Sequence, residues 1–468
     1  MNIKDPMQDD SNNSSSAISR RHFLKSSTIA ASAAGTGFLA GCARNKKAVA
    51  VAAAVTAPAV VNAQAKQPIN AVIIGLGGRG SGAGRDFTEA AKAAGVEGKI
   101  VGVADIFPEA ARKAAETFGV PADKTFSGFD AYQKVLALPG VNYAILATPP
   151  GFRASHFKAA IESGKNVFME KPVAVDGPGC RIMYEAAELS KQKGLKVAAG
   201  TQRRHHAGYQ ETIKRIKDGA IGDIVTLRAY WVNGGPIWHR GDHGETEMER
   251  QIRNWYHYIW LCGDHICEQH VHNIDVCNWI VGDHPVKAWG MGARQQLNGK
   301  SGEIWDNFAI EYEYANGVRL YSYCGQIKRE WSSVSEGVQG TKGSADPSSR
   351  IQPKGGEMWR YRKQDKDISP YVQEHIDLIN AITNNTELNE AKQVTDSTLT
   401  AIMGREAAYS GAGVDWDTVL NSTFAYGPEL LYKDPASMQW GPSRVLQPPM
   451  PSEHNIFKNP PMAPAAKA

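Results

Sequence analysis

Short apolar runs alternate with amphipathic stretches from about residue 70 onwards. The first run, residues 71–74, leads into a glycine-rich turn and then a helical pattern over 82–94. A second apolar run at 100–104 ends in Asp105. The same alternation continues, with buried strands predicted at 141–147 and 166–169 and helices at 105–118 and 154–163. Strands alternating with helices at this spacing predict a parallel, doubly wound α/β sheet.

The second half of the chain is richer in β-branched and aromatic residues. Three β-rich runs lie at 224–231, 308–314 and 318–323. Asn316 and Gly317 separate the last two runs and predict a tight hairpin turn. This half therefore differs in character from the first and predicts a hairpin of two antiparallel strands at 308–323.

Three further segments have distinct patterns. Residues 233–253 are rich in Gly, His and charge, lack a regular period, and predict a loop at the edge of a pocket. Helices are predicted around 371–411. The proline-rich segment 442–468 predicts an extended tail that wraps a neighbouring subunit.

Composition narrows the class of protein. A length of 468 residues predicts two domains with tails. The net charge of +4 comes from 52 basic and 48 acidic residues, with no long basic tract in the body of the chain, which argues against nucleic acid as a partner. The six cysteines form no CxxC pair and do not resemble a disulfide framework.

The N-terminus is typical of an exported protein. Residues 19–25, Ser-Arg-Arg-His-Phe-Leu-Lys, precede a weakly hydrophobic Ala/Gly-rich stretch and resemble a signal for the twin-arginine export machinery. We therefore expect a periplasmic or cell-envelope protein. Because this route carries folded proteins, a cofactor can be loaded before export.

Processing of this segment has two alternatives. Cys42 follows Leu-Ala-Gly, as in a bacterial lipobox, and would then be lipidated. Residues 63–65, Ala-Gln-Ala, offer an ordinary cleavage site instead. Charged residues 44–47 interrupt the apolar stretches, so no permanent transmembrane segment is predicted.

The turn after the first strand has the spacing of a dinucleotide-binding loop. Gly75, Gly77 and Gly80 fit G-x-G-x-x-G, in which the glycines allow the turn, the approach of a pyrophosphate and close helix packing. Asp105, at the tip of the second strand, suits the diol of an adenosine ribose and favours NAD over NADP. Arg79 in the loop could offset that preference, so NADP stays the alternative.

Further motifs follow along the chain: Ala-Thr-Pro-Pro at 147–150, Glu-Lys-Pro at 170–172 after a strand, Gly-Thr-Gln-Arg-Arg at 200–204, Asp-Gly-Ala-Ile-Gly-Asp at 218–223, and the segments 371–376 and 404–408. Together they resemble the motifs of the Gfo/Idh/MocA oxidoreductases. The resemblance covers roughly residues 68–420.

The resemblance implies two domains, and the signal and the proline-rich tail flank them. The parts are a signal and Ala-rich lead at 1–65, an NAD(P)-binding Rossmann domain at 66–195, an α+β substrate and oligomerisation domain with an open, mainly antiparallel sheet at 196–440, and a tail at 441–468. A homo-oligomer is expected. The residues expected to bind the cofactor are Gly75, Gly77, Gly78, Arg79, Gly80, Asp105, Thr148, Pro149, His156, Glu170 and Lys171.

The resemblance also implies the catalytic residues. Lys171 takes the position of the lysine that hydrogen-bonds the reacting hydroxyl, and His272 that of the catalytic histidine. Glu268 stands where the family usually has Asp, four residues before the histidine. Neutral histidine suits removal of a hydroxyl proton near pH 7. Glu268, His270 and His272 would face one way on a strand, as metal ligands could, but the following pattern favours a helix and no metal.

Aromatic and amide side chains are candidates for contacts with a sugar. Aromatic faces stack on C–H faces, whereas amides and guanidinium groups bind hydroxyls. The substrate-facing candidates are Gln202, Arg203, Trp231, Asn254, Trp255 and His257.

Three functions remain open on the sequence alone. The first is an exported NAD(P)-dependent oxidoreductase acting on a sugar, glycoside or cyclitol hydroxyl. The second is a redox-neutral glycosidase that keeps its NAD. The third is a non-catalytic carbohydrate or nucleotide sensor on the same fold.

Overall fold

The computed structural model describes residues 67–234, 237–297 and 302–456. The twin-arginine motif, Cys42, the cleavage site at 63–65 and the last part of the tail, 457–468, lie outside the described residues. Within the described ranges, we find no helix with the length and apolar character that crossing a membrane requires.

The first half of the described chain forms a parallel sheet of six strands in the order β3-β2-β1-β4-β5-β6. Its strands are β1 (Ile69–Ile74), β2 (Gly98–Asp105), β3 (Thr125–Ser127), β4 (Tyr143–Leu146), β5 (Asn166–Met169) and β6 (Val197–Ala199). Strands β1, β4 and β5 are almost entirely buried because helices cover both faces. The predicted doubly wound α/β sheet is confirmed.

Five helices connect these strands. They are α1 (Gly78–Ala93), α2 (Pro108–Phe118), α3 (Ala131–Leu136), α4 (Pro150–Glu162) and α5 (Gly177–Gln192). Helices α1 and α4 begin four residues earlier than the sequence pattern predicts. In α4 the early start follows from Pro150, whose fixed φ suits the first turn. Helices α1 and α4 begin close after the ends of strands β1 and β4. Their N-termini therefore lie at the carboxyl edge of the sheet.

The second half forms a mixed sheet of nine strands in the order β14-β13-β12-β11-β7-β10-β9-β8-β15. Its strands are β7 (Ile224–Val232), β8 (Pro285–Ala293), β9 (Asn307–Tyr314), β10 (Arg319–Gly325), β11 (Ser333–Gly340), β12 (Gly343–Asp346), β13 (Arg350–Pro353), β14 (Trp359–Arg360) and β15 (Val414–Asp415). The β7–β10 pair is parallel, and the other pairs are antiparallel.

The predicted hairpin is confirmed. Strands β9 and β10 pair antiparallel, and Gly317 between them has a φ of 83°. The amide of Gly317 donates to the carbonyl of Tyr314 at 2.8 Å, which closes the turn. A positive φ is easily adopted by glycine, which is why the Asn-Gly pair marks this position.

Nine further helices follow α5 in the described residues. They are α6 (Ala207–Lys217), α7 (Glu247–Arg253), α8 (Ile259–Cys262), α9 (His265–Glu268), α10 (Val271–Val281), α11 (Pro370–Asn384), α12 (Ala391–Ser410), α13 (Trp416–Leu420) and α14 (Leu430–Lys433). The prediction that all of 233–253 is loop is wrong at its end, where α7 lies. The Thr246 side chain caps α7 by accepting from the Glu249 amide at 3.2 Å.

The described part of the proline-rich tail packs against its own chain. The Leu446 amide donates to Glu303, and the Trp305 indole donates to the Pro449 carbonyl. His454 is buried beside Glu406 of α12, at 3.0 Å. Residues 442–456 therefore cover the core of their own subunit, and the contact with a neighbouring subunit stays a prediction.

Candidate active site

A cleft of about 1120 Å³ lies at the carboxyl ends of strands β1, β2, β4 and β5. In open α/β sheets this is the edge at which ligands bind. Residues of the second half of the chain, among them Trp231, Glu268 and His272, form the opposite wall. The cleft thus brings the glycine loop and the predicted catalytic residues into one cavity.

The glycine loop has the geometry that a dinucleotide needs. Gly75 has a φ of 92°, and a Cβ on it would lie 2.5 Å from the Thr148 nitrogen. A Cβ on Gly80 would lie 1.9 Å from the Gly75 carbonyl oxygen, so helix and strand are packed at this point. By contrast, apart from the adjoining residues and the backbone of α1 itself, no described atom lies within 4 Å of a Cβ placed on Gly77 or Gly78. Those two glycines face open space at the start of α1, which fits a pyrophosphate.

Asp105 ends β2 at the edge of the cleft. Its Oδ2 accepts from the Leu76 amide at 2.6 Å and its Oδ1 from the Phe107 amide at 2.9 Å. These bonds fix the carboxyl group between the glycine loop and the start of α2. Burial raises its pKa above the ordinary aspartate value, opposed by those backbone donors.

Arg79 lines the cleft, but its charge is already compensated. Its guanidinium donates to Glu170, to Asp86 at 3.0 Å and to Glu374 at 3.5 Å. It also lies 5.1 Å from the ring centre of Tyr371. Three carboxylates therefore surround the cation that could have favoured NADP.

Arg153 and His156 of α4 shape the cleft between β4 and β5. Arg153 is fully buried and donates to the carbonyls of Thr148 and Glu170, and burial lowers its pKa to about 10. His156 lies 3.3 Å from the Thr148 hydroxyl and 4.4 Å, between ring centres, from Tyr132. Burial, followed by the Arg153 charge, lowers the His156 pKa to about 3, so its ring is neutral.

The three predicted catalytic residues line the same cleft. The Lys171 ammonium donates to the Glu268 carbonyl at 2.5 Å and to its Oε1 at 3.4 Å. Glu268 ends α9 and His272 lies in the first turn of α10. Both side chains are buried, and Glu268 Oε2 and His272 Nδ1 have no hydrogen-bond partner among the described residues.

The pKa values of the acid and the histidine move in opposite directions. Burial raises the pKa of Glu268, and the Lys171 charge opposes that shift. Burial, followed by the charges of Lys171, Arg203 and Arg79, lowers the His272 pKa well below its ordinary value. The His272 ring is therefore neutral at pH 7 and can accept a proton.

His270 does not join these residues. Its Nε2 is 2.7 Å from the Ser322 hydroxyl, away from the cleft lining. The segment is helical rather than a strand, as its apolar pattern predicted, so alternate residues point apart. Among the described residues we find no cluster of three or more His, Cys, Asp or Glu side chains placed to hold a metal ion.

Four substrate candidates line the cleft and two do not. Gln202, Arg203, Trp231 and Trp255 line it; the Trp231 ring stacks on His272 with centres 5.9 Å apart. Arg203 is paired with Glu336 of β11.

Asn254 and His257 lie outside the cleft lining and contact a neighbouring loop instead. The buried Asn254 amide donates to the Gly241 carbonyl at 2.8 Å and its oxygen accepts from the Arg240 amide. His257 Nε2 lies 2.7 Å from the Trp238 carbonyl. Both side chains hold the 237–246 loop, because the aperiodic loop needs polar partners for its backbone groups.

That loop supplies lining residues that the sequence reasoning missed. Trp238, Arg240 and His243 face the cleft, as do Gln269 and Tyr371 from other segments. Trp238 is 36% exposed and packs edge-on against Trp255, with ring centres 5.8 Å apart. In the sequence, these loop residues were indicated only by the concentration of aromatic and basic residues in a segment without helical or strand periodicity.

Comparison with known families decides the assignment. Residues 69–200 match the model of the oxidoreductase family with an NAD-binding Rossmann fold, GFO_IDH_MocA. Residues 209–346 match the GFO/IDH/MocA C-terminal domain. Together these matches span more than half of the chain. This protein belongs to the Gfo/Idh/MocA oxidoreductase family.

Curated relatives of this family member are similar over about half of its length. Inositol 2-dehydrogenase of Gluconacetobacter diazotrophicus is 29% identical over 46% of this chain and 56% of its own. Inositol 2-dehydrogenase 3 of Saccharopolyspora erythraea is 30% identical over 47% of this chain and 57% of its own. The chain thus spans little more than half the length of these relatives.

Solved structures with the same fold cover more of the chain. Aldose-aldose oxidoreductase from Caulobacter crescentus, complexed with glycerol, is 19% identical with a TM-score of 0.60, over 75% of this chain and 100% of its own. Levoglucosan dehydrogenase, in complex with NADH and levoglucosan, is 19% identical with a TM-score of 0.61, over 75% and 99%. The family fold extends from the Rossmann sheet into the second sheet.

Proposed function

We propose that this protein is an NAD-dependent oxidoreductase that acts on a hydroxyl group of a sugar, glycoside or cyclitol. The observation that carries the proposal is the placement of Lys171, Glu268 and His272 in one cleft with the open glycine loop. The names of the relatives, inositol dehydrogenases and a levoglucosan dehydrogenase bound to NADH, support this substrate class.

The chain's own residues suit the handling of the hydroxyl proton. Bound NAD would supply the acceptor for a hydride; Gly77 and Gly78 would hold its pyrophosphate and Asp105 its adenosine ribose. Lys171, held by Glu268, would donate a hydrogen bond to the substrate oxygen. Neutral His272 would accept the hydroxyl proton as the C–H bond breaks. Trp231, which stacks on His272, would contact the C–H face of the sugar and position its hydroxyl group near Lys171 and His272.

The test is NAD reduction with a panel of inositols, aldoses and anhydrosugars. His272→Ala and Lys171→Met should each lower kcat by about a hundredfold or more, since a general base contributes about that much. NADH binding, measured by fluorescence, should persist in both variants. Absence of turnover in the unmodified protein with every substrate, while NADH binds, would favour the sensor function instead.

The proposed cofactor is NAD rather than NADP. A 2′-phosphate would meet the Asp105 carboxylate, and the Arg79 charge is already shared among three carboxylates. Asp105→Ser should lower the ratio of kcat/KM with NAD to kcat/KM with NADP by roughly tenfold or more. The substitution removes the repulsion between the carboxylate and the 2′-phosphate. Arg79→Gln should not make the enzyme less selective for NAD.

A redox-neutral glycosidase is the second candidate, and Glu268 favours it. Burial raises the pKa of this carboxyl, which suits an acid that protonates a leaving group. Sugar release from a glycoside without net NADH, together with near-stoichiometric NAD recovered from the denatured protein, would support this candidate. Net NADH formation from free sugars would refute it.

We further propose export by the twin-arginine machinery to the periplasm or cell envelope. The motif at 19–25 supports it, with Arg20 and Arg21 as the pair that the machinery reads. Arg20→Lys with Arg21→Lys should retain the protein in the cytoplasm. The mass of the exported protein should distinguish lipidation at Cys42 from cleavage after Ala65.

A homo-oligomer is also proposed. The outer face of the second sheet exposes Tyr321 and Tyr323, with Trp331 beside them 58% exposed. Such an exposed aromatic patch is typical of an interface. Light scattering should give a mass above that of one 468-residue chain. The double substitution Tyr321→Arg and Tyr323→Arg should lower the measured mass, because it places charges in the proposed interface.

A further inference from the structure

An ion pair joins the two walls of the cleft beside Asp105. Arg253, the last residue of α7, places its Nη1 3.1 Å from Glu109 Oε1 in the first turn of α2. The same guanidinium lies 4.0 Å from the ring centre of Phe107. Phe107, Glu109 and Arg253 all line the cleft. Because Phe107 and Glu109 follow Asp105 by two and four residues, this contact lies at the adenosine end.

The C-terminal segment covers the same point. The Trp440 ring stacks on Phe107, with centres 5.7 Å apart and planes 20° apart, and also contacts Phe129 at 5.0 Å. This segment is attached to α7, since the Met248 amide donates to the Gly441 carbonyl at 3.2 Å. We call Phe107, Glu109, Arg253 and Trp440 the adenosine clasp.

We propose that the adenosine clasp retains NAD and has to open before the dinucleotide can leave. The inference rests on the proposed function, since it needs NAD in the cleft with its ribose at Asp105. The clasp connects α2 of the first half with α7 and the tail of the second half. A dinucleotide in the cleft would therefore be bounded at this end by segments from both halves of the chain.

The clasp can open without loss of the fold. The Arg253 and Glu109 side chains are 31% and 55% exposed, and Trp440 is 38% exposed. Contacts of this kind are weak individually, so local opening costs little. Breaking one should speed the release of NAD without unfolding the sheet beneath. Under the proposed export, slow release would keep a cofactor that was loaded in the cytoplasm.

The test is the release rate of NADH, measured by the fall in fluorescence after displacement with excess NAD. Arg253→Ala and Trp440→Ala should each release NADH about tenfold faster, because each loses a stacking contact and Arg253→Ala also loses the ion pair. Arg215→Ala is the matched control, because Arg215 of α6 also has an ion pair, with Glu211 at 2.7 Å, and a ring contact, with Trp359, but does not line the cleft. Its release rate should equal that of the unmodified protein.

A charge exchange tests whether the pair acts across the cleft. Glu109→Arg alone should release NADH faster, and adding Arg253→Glu should slow the release again in part, because the reversed ion pair forms without the guanidinium contact on Phe107. Equal release rates in all these proteins, with NADH bound in each, would overturn the clasp while leaving the proposed function intact. Failure of the unmodified protein to bind NADH or NAD would instead overturn both.

Discussion

His272 lies where burial and three cations act on its ring in the same direction, toward the neutral form. If the neutral ring is the base, kcat/KM should stay high as the pH falls through 6.5, the ordinary histidine pKa, and decline only at lower pH. The measurement is kcat/KM against pH with NAD near saturation. An acid limb with its midpoint at 6.5 would mean that a different, unshifted group is the base.

Gly78 and Gly80 lie two residues apart but should respond differently to an added methyl group. Gly78→Ala adds a Cβ in open space, so thermal stability should persist while NAD binding weakens by roughly tenfold, because the methyl occupies the approach of the pyrophosphate. Gly80→Ala places a Cβ 1.9 Å from the Gly75 carbonyl and should lower the free energy of unfolding by about 1–3 kcal/mol. Calorimetry and NADH titration separate the two effects.

These residues also show how far sequence reasoning reaches at the residue scale. The glycine loop and Asp105 were predictable because their roles depend on the backbone and on one strand end. Asn254 and His257 were not, because an amide or imidazole serves a loop carbonyl as well as a sugar hydroxyl. No local sequence pattern indicates the role of Arg153, whose buried guanidinium donates to two backbone carbonyls.

At the scale of elements, His205 connects the end of β6 to helices α11 and α12. It lies 2.6 Å from Asp377 and 3.2 Å from Glu390. Burial lowers its pKa, but the carboxylates outweigh burial and raise the value from 6.5 to about 10. A raised histidine pKa stabilises the fold below pH 6.5, and this contribution is lost as pH rises through about 10.

The consequence is a pH-dependent stability that one substitution should remove. From the pKa shift of His205, the free energy of unfolding should fall by roughly 3–5 kcal/mol between pH 6.5 and about 10. His205→Gln should flatten this part of the profile, as measured by urea unfolding at each pH. A variant with the same slope as the unmodified protein would show that other groups titrate there.

Helix α7 illustrates why some elements escape sequence reasoning. Its seven residues are too few for a clear helical period, and a Gly- and His-rich loop precedes them. It is stabilised by the Thr246 cap and by the C-terminal segment, since the Gln251 amide donates to the Arg444 carbonyl at 3.0 Å. That partner lies almost two hundred residues away, so no local window contains the reason for the helix. The hairpin at Gly317, by contrast, is encoded locally.

At the scale of the whole molecule, the tail completes a buried network of charge. Glu406 of α12 accepts from Arg405 at 2.6 Å and lies 3.0 Å from His454 of the tail. Burial raises the Glu406 pKa, but Arg405 and His454 outweigh burial and lower it to about 2. A lowered carboxyl pKa stabilises the fold above pH 4.5, and this contribution is lost as pH falls through about 2.

His454→Ala should therefore have two linked effects. Removing one partner of a buried charge should lower the free energy of unfolding by about 1–3 kcal/mol at neutral pH. It should also raise the Glu406 pKa and shift acid unfolding to higher pH. Glu453→Ala, at the exposed neighbouring residue, is the control and should change neither property. If His454→Ala unfolded like this control, the tail would lie on the core without stabilising it through this network.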